Sequence, residues 1–125
     1  MVQAYGFTSV PIIQAIGRAK GRGVDVRAIL DKDNRQARYT GATYLANAGV
    51  PVRIDDRVSI AHNKVIVIDG RTVIGGSYNF TGSAETRNAE NVTIIRSGCV
   101  ADAFGRNFEG RWAVSNPYSR PDASK

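Results

Sequence analysis

Residues 62–79 read His62-Asn63-Lys64-Val65-Ile66-Val67-Ile68-Asp69-Gly70-Arg71-Thr72-Val73-Ile74-Gly75-Gly76-Ser77-Tyr78-Asn79. Val65 to Ile68 form a β-branched run suited to a buried strand, and Thr72, Val73 and Ile74 open a second. Asp69-Gly70 lies between them, and Asp-Gly between two such runs is a strong hairpin signal. Side chains alternate along a strand, so His62 and Lys64 point to one face. Ser77 and Asn79 share a face in the same way if the backbone stays extended past Gly76. The hairpin then gathers an imidazole, an ammonium, a hydroxyl and an amide. That set can attack a phosphorus centre and hold its oxygens.

The spacing His62-x-Lys64-x4-Asp69-x6-Gly76-Ser77-x-Asn79 resembles the complete HKD motif of the phospholipase D superfamily. Phe80-Thr81 and Glu90-Asn91 are similar to the small bacterial endonuclease branch, whose members carry one motif per chain. The likeness extends from Ala4-Tyr5-x-Phe7-Thr8 to Arg111-Trp112. It implies an α/β fold, a mixed β-sheet flanked by helices, over residues 1–115. It implies that His62 is the nucleophile, forming a covalent phosphohistidine. Lys64 and Asn79 would hold the non-bridging phosphate oxygens, Ser77 would lie beside the phosphate, and Glu90 would orient the histidine. Each also has a plain reading: a surface imidazole, a solvated strand lysine, a turn serine and a surface acid. Asp69 reads chiefly as a turn residue. Gly75 and Gly76 either admit the substrate closely or bulge the strand.

The rest of the chain alternates strand and helix. Residues 2–8 read as a strand. Thr8 or Ser9 caps a helix with Pro11 in its first turn and Ile12, Ile13 and Ile16 on its inner side. Gly21 and Gly23 stop that helix, and residues 24–30 alternate as a strand. Asp31-Lys32-Asp33-Asn34 reads as a polar loop. A helix over residues 36–48 ends at Gly49, and Pro51 forbids continuation. Residues 51–54 are a short strand, 55–57 a turn, 80–88 a connection and 91–96 a strand. Val100, Phe104, Phe108 and Trp112 recur at i, i+4, i+8 and i+12 and mark the core face of a last helix over 100–113. Residues 116–125 read as a polar, frayed tail. A strand and a helix precede residue 2 in the resembled family, so the chain reads as N-terminally short.

With 42% hydrophobic and 22% charged residues in 125, the composition is that of one globular domain. The net charge is +6 and the pI near 9.9, which favours polyanions such as nucleic acid or anionic membrane surfaces. Arg35, Arg38, Arg57 and Arg87 lie in loops or at element ends and are candidate backbone contacts. One cysteine, Cys99, excludes an intrachain disulfide and reads as a helix-start or core residue. One Cys and one His are too few for a Cys/His zinc site, and Asp31 and Asp33 read as a loop rather than a Mg²⁺ cluster. No cofactor and no metal are therefore expected. No apolar run approaches a membrane span, and residues 1–5 are not a signal peptide. The compartment stays open, periplasmic if a leader has been lost and otherwise cytoplasmic.

Three functions follow. The first is a phosphodiesterase acting on nucleic acid (DNA, or RNA) with little sequence preference. The second is a phospholipase D acting on phosphatidyl lipids, set back by the lack of an interfacial amphipathic helix. The third is a non-catalytic nucleic-acid-binding fragment. For the enzyme, phosphoryl transfer wants a nucleophile and a general acid, and the chain has one histidine. A homodimer with its active site at the two-fold interface supplies the second imidazole.

Overall fold

The apolar runs of the first half pair as parallel strands and those of the second as antiparallel ones. In the computed structural model, which describes residues 1–35 and 40–119, they make one seven-stranded sheet. The strands are β1 (Val2–Ala4), β2 (Ala28–Asp31), β3 (Val52–Asp55), β4 (Lys64–Ile68), β5 (Thr72–Gly76), β6 (Val92–Arg96) and β7 (Asn116–Pro117). Their order is β6-β5-β4-β1-β2-β3-β7. β1, β2 and β3 run parallel, and the remaining pairs are antiparallel, giving the expected mixed sheet.

Two helices make the parallel crossovers, α1 (Val10–Gly21) and α2 (Ala42–Asn47). Alternation along the strands splits the interior between two faces. Val2, Ala4, Ala28, Leu30, Val52 and Ile54 point to the side where Ile13 of α1 and Ala42 and Leu45 of α2 cover them. Val67 and Val73 point the other way, against Ala101, Val100 and Phe104 of α4 (Gly98–Val114). Phe108 completes the expected stripe, fully buried and stacked on Trp112. A short helix, α3 (Gly82–Thr86), is capped by Thr81, whose hydroxyl accepts from the Ala84 N–H.

Several boundaries differ from the sequence reading. β1 stops at Ala4 rather than residue 8, because the chain turns away to lay Phe7 against Phe80. β2 begins at Ala28, not Val24, which stays exposed where no strand pairs with it. The helix expected over 36–48 is seen as Ala42–Asn47, and residues 36–39 lie outside the described ones. Asp55 ends β3 rather than opening a turn. Cys99 sits at the start of α4 but is exposed, not core.

The tail does not fray at residue 116. Ile54 pairs with Asn116 and Arg53 with Pro117, the Tyr118 N–H donates to the Val52 carbonyl, and the Tyr118 and Thr43 hydroxyls bond at 2.7 Å. The open edge of β3 supplies unpaired backbone groups, and an edge strand tolerates proline. The folded unit thus runs through Tyr118, and residues 120–125 lie outside the described ones.

Candidate active site

The β4–β5 hairpin closes through Asp69 (φ 57°) and Gly70 (φ 63°). Positive φ at both central positions is what a type I′ turn requires, and it matches the twist of the strands. Pairing of Ile66 with Ile74 and Val67 with Val73 brings the start of β4 level with the end of β5. Ala4 pairs with Lys64, so this end of the hairpin meets the carboxyl end of β1.

Gly76 sits at the join with β6 at φ 132°, and a Cβ there would stand 2.1 Å from the Asn91 carbonyl oxygen. The glycine is needed for close approach of backbone to backbone, not of backbone to substrate. Gly75 would meet nothing closer than 3.9 Å. Beyond Gly76 the chain is pinned on both sides. The Ser77 N–H donates to the Asn91 carbonyl, and Ser77 Oγ accepts from the Asn91 N–H at 3.0 Å. The same hydroxyl donates to Glu90 Oε1 at 3.1 Å. Asn79 Oδ1 accepts from the Gly6 N–H at 3.3 Å, which leaves the amide nitrogen as a free donor.

His62 is exposed just ahead of β4, while Lys64 is buried to 8% exposure. Lys64 Nζ lies 3.0 Å from His62 Nδ1 and donates to the His62 carbonyl at 2.8 Å. An ammonium only donates, so Nδ1 is the acceptor and the neutral ring carries its proton on Nε2. One of the three ammonium hydrogens remains for a ligand. Burial lowers the Lys64 pKa, and the negative charge of Glu90 partly opposes this. The Tyr5 ring lies 4.9 Å from the imidazole, tilted at 53°, and Lys64 Nζ stands 5.7 Å from the same ring.

His62, Lys64, Ser77, Asn79 and Glu90 thus come to one end of the hairpin. Asp69 is at the other end, in the turn. Glu90 departs from its expected role: within the chain it bonds Ser77, and Lys64 takes the Nδ1 of His62. Arg35 is paired with Asp56 at 2.6 Å, Arg57 and Arg87 are exposed in loops, and Arg38 lies outside the described residues. Among the described residues no three His, Cys, Asp or Glu side chains converge as metal ligands. Sequence reasoning missed Tyr5 and Gly6, whose partners are a strand away, and read Asp31 and Asn34 as mere loop. Their placement at the carboxyl ends of parallel strands, where α/β sheets bind ligands, is the signal that could have found them.

The arrangement offers an exposed imidazole beside donors from Lys64 and the Asn79 amide, suited to a tetrahedral oxyanion such as a phosphodiester, while the Ser77 hydroxyl gives its one hydrogen to Glu90. Comparison with known proteins agrees with that chemistry. Residues 1–112 match the family described as "Cardiolipin synthase, PLD-like domain". A phospholipase D of Rickettsia prowazekii is 44% identical over 115 residues, 92% of this chain and 56% of the relative. A mitochondrial cardiolipin hydrolase of Xenopus tropicalis is 34% identical over 92% of this chain and 55% of its own length. The chain therefore spans about half the length of these curated relatives. The crystal structure of Nuc from Salmonella typhimurium, a phospholipase D family member, superposes with a TM-score of 0.90. It is 39% identical, with 96% of this chain and 80% of that one covered.

Proposed function

The chain belongs to the phospholipase D superfamily, and we propose that it is a metal-independent phosphodiesterase cleaving nucleic acid through a phosphohistidine at His62. The observation that carries this reading is the contact of an exposed imidazole with a buried ammonium at 3.0 Å. Lys64 resting on Nδ1 keeps the proton on Nε2. An arriving phosphate draws Lys64 onto its non-bridging oxygens and frees Nδ1 to take the ring proton. Nε2 then attacks in line: the N–P bond forms, the P–O bond to the leaving oxygen breaks, and that oxygen takes up a proton. Water next attacks phosphorus and gives its proton to the group that protonated the leaving oxygen, the N–P bond breaks with its electron pair returning to Nε2, and both groups are restored. Lys64 and the Asn79 amide hold the charge that develops on the oxygens, and the Ser77 hydroxyl, bonded to Glu90, lies beside them.

The acid for the leaving oxygen is best supplied by a second imidazole. We place it on a second copy of the chain, with the two sites facing across a two-fold axis. Two facing Lys64 ammoniums repel until an anion lies between them, so phosphate should tighten the dimer. Light scattering with and without phosphate tests this. A monomer turning over at full rate would overturn it.

The net charge of +6 supports nucleic acid as the substrate. A lipid phosphodiester is the second reading. The names of the curated relatives favour it, as do Val58 and Ile60, 37% and 47% exposed shortly before His62. Turnover of plasmid DNA, RNA, cardiolipin and phosphatidylcholine vesicles, and bis(p-nitrophenyl) phosphate separates the readings. We expect nucleic acid and the small diester to be cleaved in excess EDTA. Loss of rate restored by Mg²⁺ would overturn the metal-free chemistry, and cleavage of vesicles alone would select the lipid reading. The His62→Asn chain should bind DNA and fold but retain less than about a thousandth of the rate. Binding with no turnover of any substrate would leave a non-catalytic binding fragment.

A further inference from the structure

Asp31, at the end of β2, is fully buried, yet among the described residues its carboxylate bonds backbone N–H groups and no cation. Oδ1 accepts from the Ala61 N–H at 2.6 Å, and Oδ2 from the Asp33 N–H at 3.0 Å. Burying a carboxylate is costly unless its lone pairs are used, so both bonds are held tightly. Its neighbour across the sheet, Asp55, is equally buried but carries Arg111 as a bidentate partner. Asp55 therefore ties β3 to α4, whereas Asp31 holds a loop, and Ala61 is the residue before His62.

A second buried polar side chain reaches the same imidazole by another route. Asn34 is 4% exposed, and its amide nitrogen donates to the Tyr5 carbonyl at 2.8 Å and to the Asp31 carbonyl at 3.2 Å. Its oxygen accepts from the Thr40 hydroxyl at 2.6 Å, which fixes the amide's orientation. The Tyr5 carbonyl so held belongs to the residue whose ring lies against His62 and Lys64. The Tyr5 hydroxyl reaches Asp33 Oδ2 only at 3.4 Å and is exposed, so the ring, not the phenol, is the contact that counts.

We infer that Asp31, Asn34 and Tyr5 are positioning residues for His62. Asp31 sets the backbone that delivers the imidazole, and Asn34 sets the tyrosine whose ring fixes its plane. The inference rests on His62 being the nucleophile. In-line attack needs the nitrogen placed to within a fraction of an ångström, and none of the three needs to touch the substrate. Asparagine at position 31 has one acceptor oxygen for two N–H groups, so one arm of the bracket is lost while size is kept.

The test uses the fact that His62 is the chain's only histidine. Its ring nitrogens give one set of ¹⁵N imidazole resonances, which read the tautomer directly and without turnover. In the unmodified protein the Nε2–H form should dominate. Asp31→Asn should shift the tautomer ratio toward that of free imidazole and lower kcat by about 30-fold, with KM changed less than about twofold. Tyr5→Leu, which removes the ring, should reproduce the Asp31→Asn effect. Asp55→Asn is the control: it should lower thermal stability and leave the His62 resonances in place. If Asp31→Asn does not fold, Tyr5→Leu carries the test alone. Unchanged tautomer and kcat in folded Asp31→Asn or Tyr5→Leu, with His62→Asn inactive, overturn the positioning role only. An active His62→Asn instead overturns the parent reading.

Discussion

Lys64 carries the sharpest consequence at the scale of single residues. Burial lowers its pKa, so it gives up its proton at lower pH than an ordinary lysine. Between its folded and unfolded pKa values the unfolded chain binds more protons, so the contribution of this group to stability rises with pH there. On the proposed mechanism activity moves the opposite way, because a clamp on phosphate would need the charge. We predict an alkaline limb in kcat below the ordinary lysine range. Lys64→Arg, which stays charged, should remove that limb while lowering kcat at neutral pH through its different donor geometry. An unmodified protein with constant kcat through the whole lysine range would place the phosphate charge elsewhere. Asp69 is the contrasting residue: it has the motif's carboxylate but sits in the turn at φ 57°. Asp69→Asn should therefore leave kcat unchanged, since asparagine accepts positive φ nearly as well. A large fall in kcat with an unchanged melting temperature would give Asp69 a chemical role.

The hairpin and its seam with β6 form the element on which the site depends. Five residue pairs join β5 to β6, ending at Gly76 and Val92, and the chain past Gly76 carries Ser77 and Asn79. A methyl at Gly76 meets the Asn91 carbonyl at 2.1 Å and must adopt φ 132°, so either the seam opens or Ser77 moves. We predict that Gly76→Ala lowers stability by about 2–4 kcal/mol and also lowers kcat. Gly75→Ala, with ordinary contacts, should cost no more than about 1 kcal/mol. Equal melting temperatures for the two variants would show that this reading of the seam is wrong.

For the whole molecule, the balance of charge and the exposed surface matter most. The chain's net charge of +6 predicts that DNA affinity falls steeply with salt and depends little on base sequence. A fluorescence titration should give a straight line in log K against log salt with slope near −0.9 per phosphate contacted. A flat line would favour the lipid reading. The sheet also has a bare face: Ile68, Val92 and Ile94 are exposed on the side of β4–β6 away from α4, where α1 and α2 do not reach. Exposed apolar surface of this kind lowers solubility, so charge in the buffer and protein concentration should be controlled in every binding assay.

Much of this architecture was legible from local spacing. Alternation over residues 62–79 placed the hairpin, its turn and the shared site end, because strand period and turn chemistry are properties of neighbouring residues. The single motif is legible in the same stretch, and the fold class in the alternation of strand and helix along the rest of the chain. The crossovers were legible in the helix stops at Gly21 and Gly49, although their strands began and ended elsewhere. Strand ends are set by what pairs across the sheet, so the alternation that starts at Val24 overruns β2 and the polarity of Asn116 hides β7. Only the tertiary structure gave Glu90 to Ser77 and set Lys64 on Nδ1 of His62. It alone joined Asp31 to Ala61, thirty residues on, and Asn34 to Tyr5, twenty-nine residues back. A buried carboxylate or amide shows in sequence as one more polar loop residue. Its meaning depends on which distant N–H or carbonyl the fold brings within 3 Å, and spacing along the chain does not carry that distance.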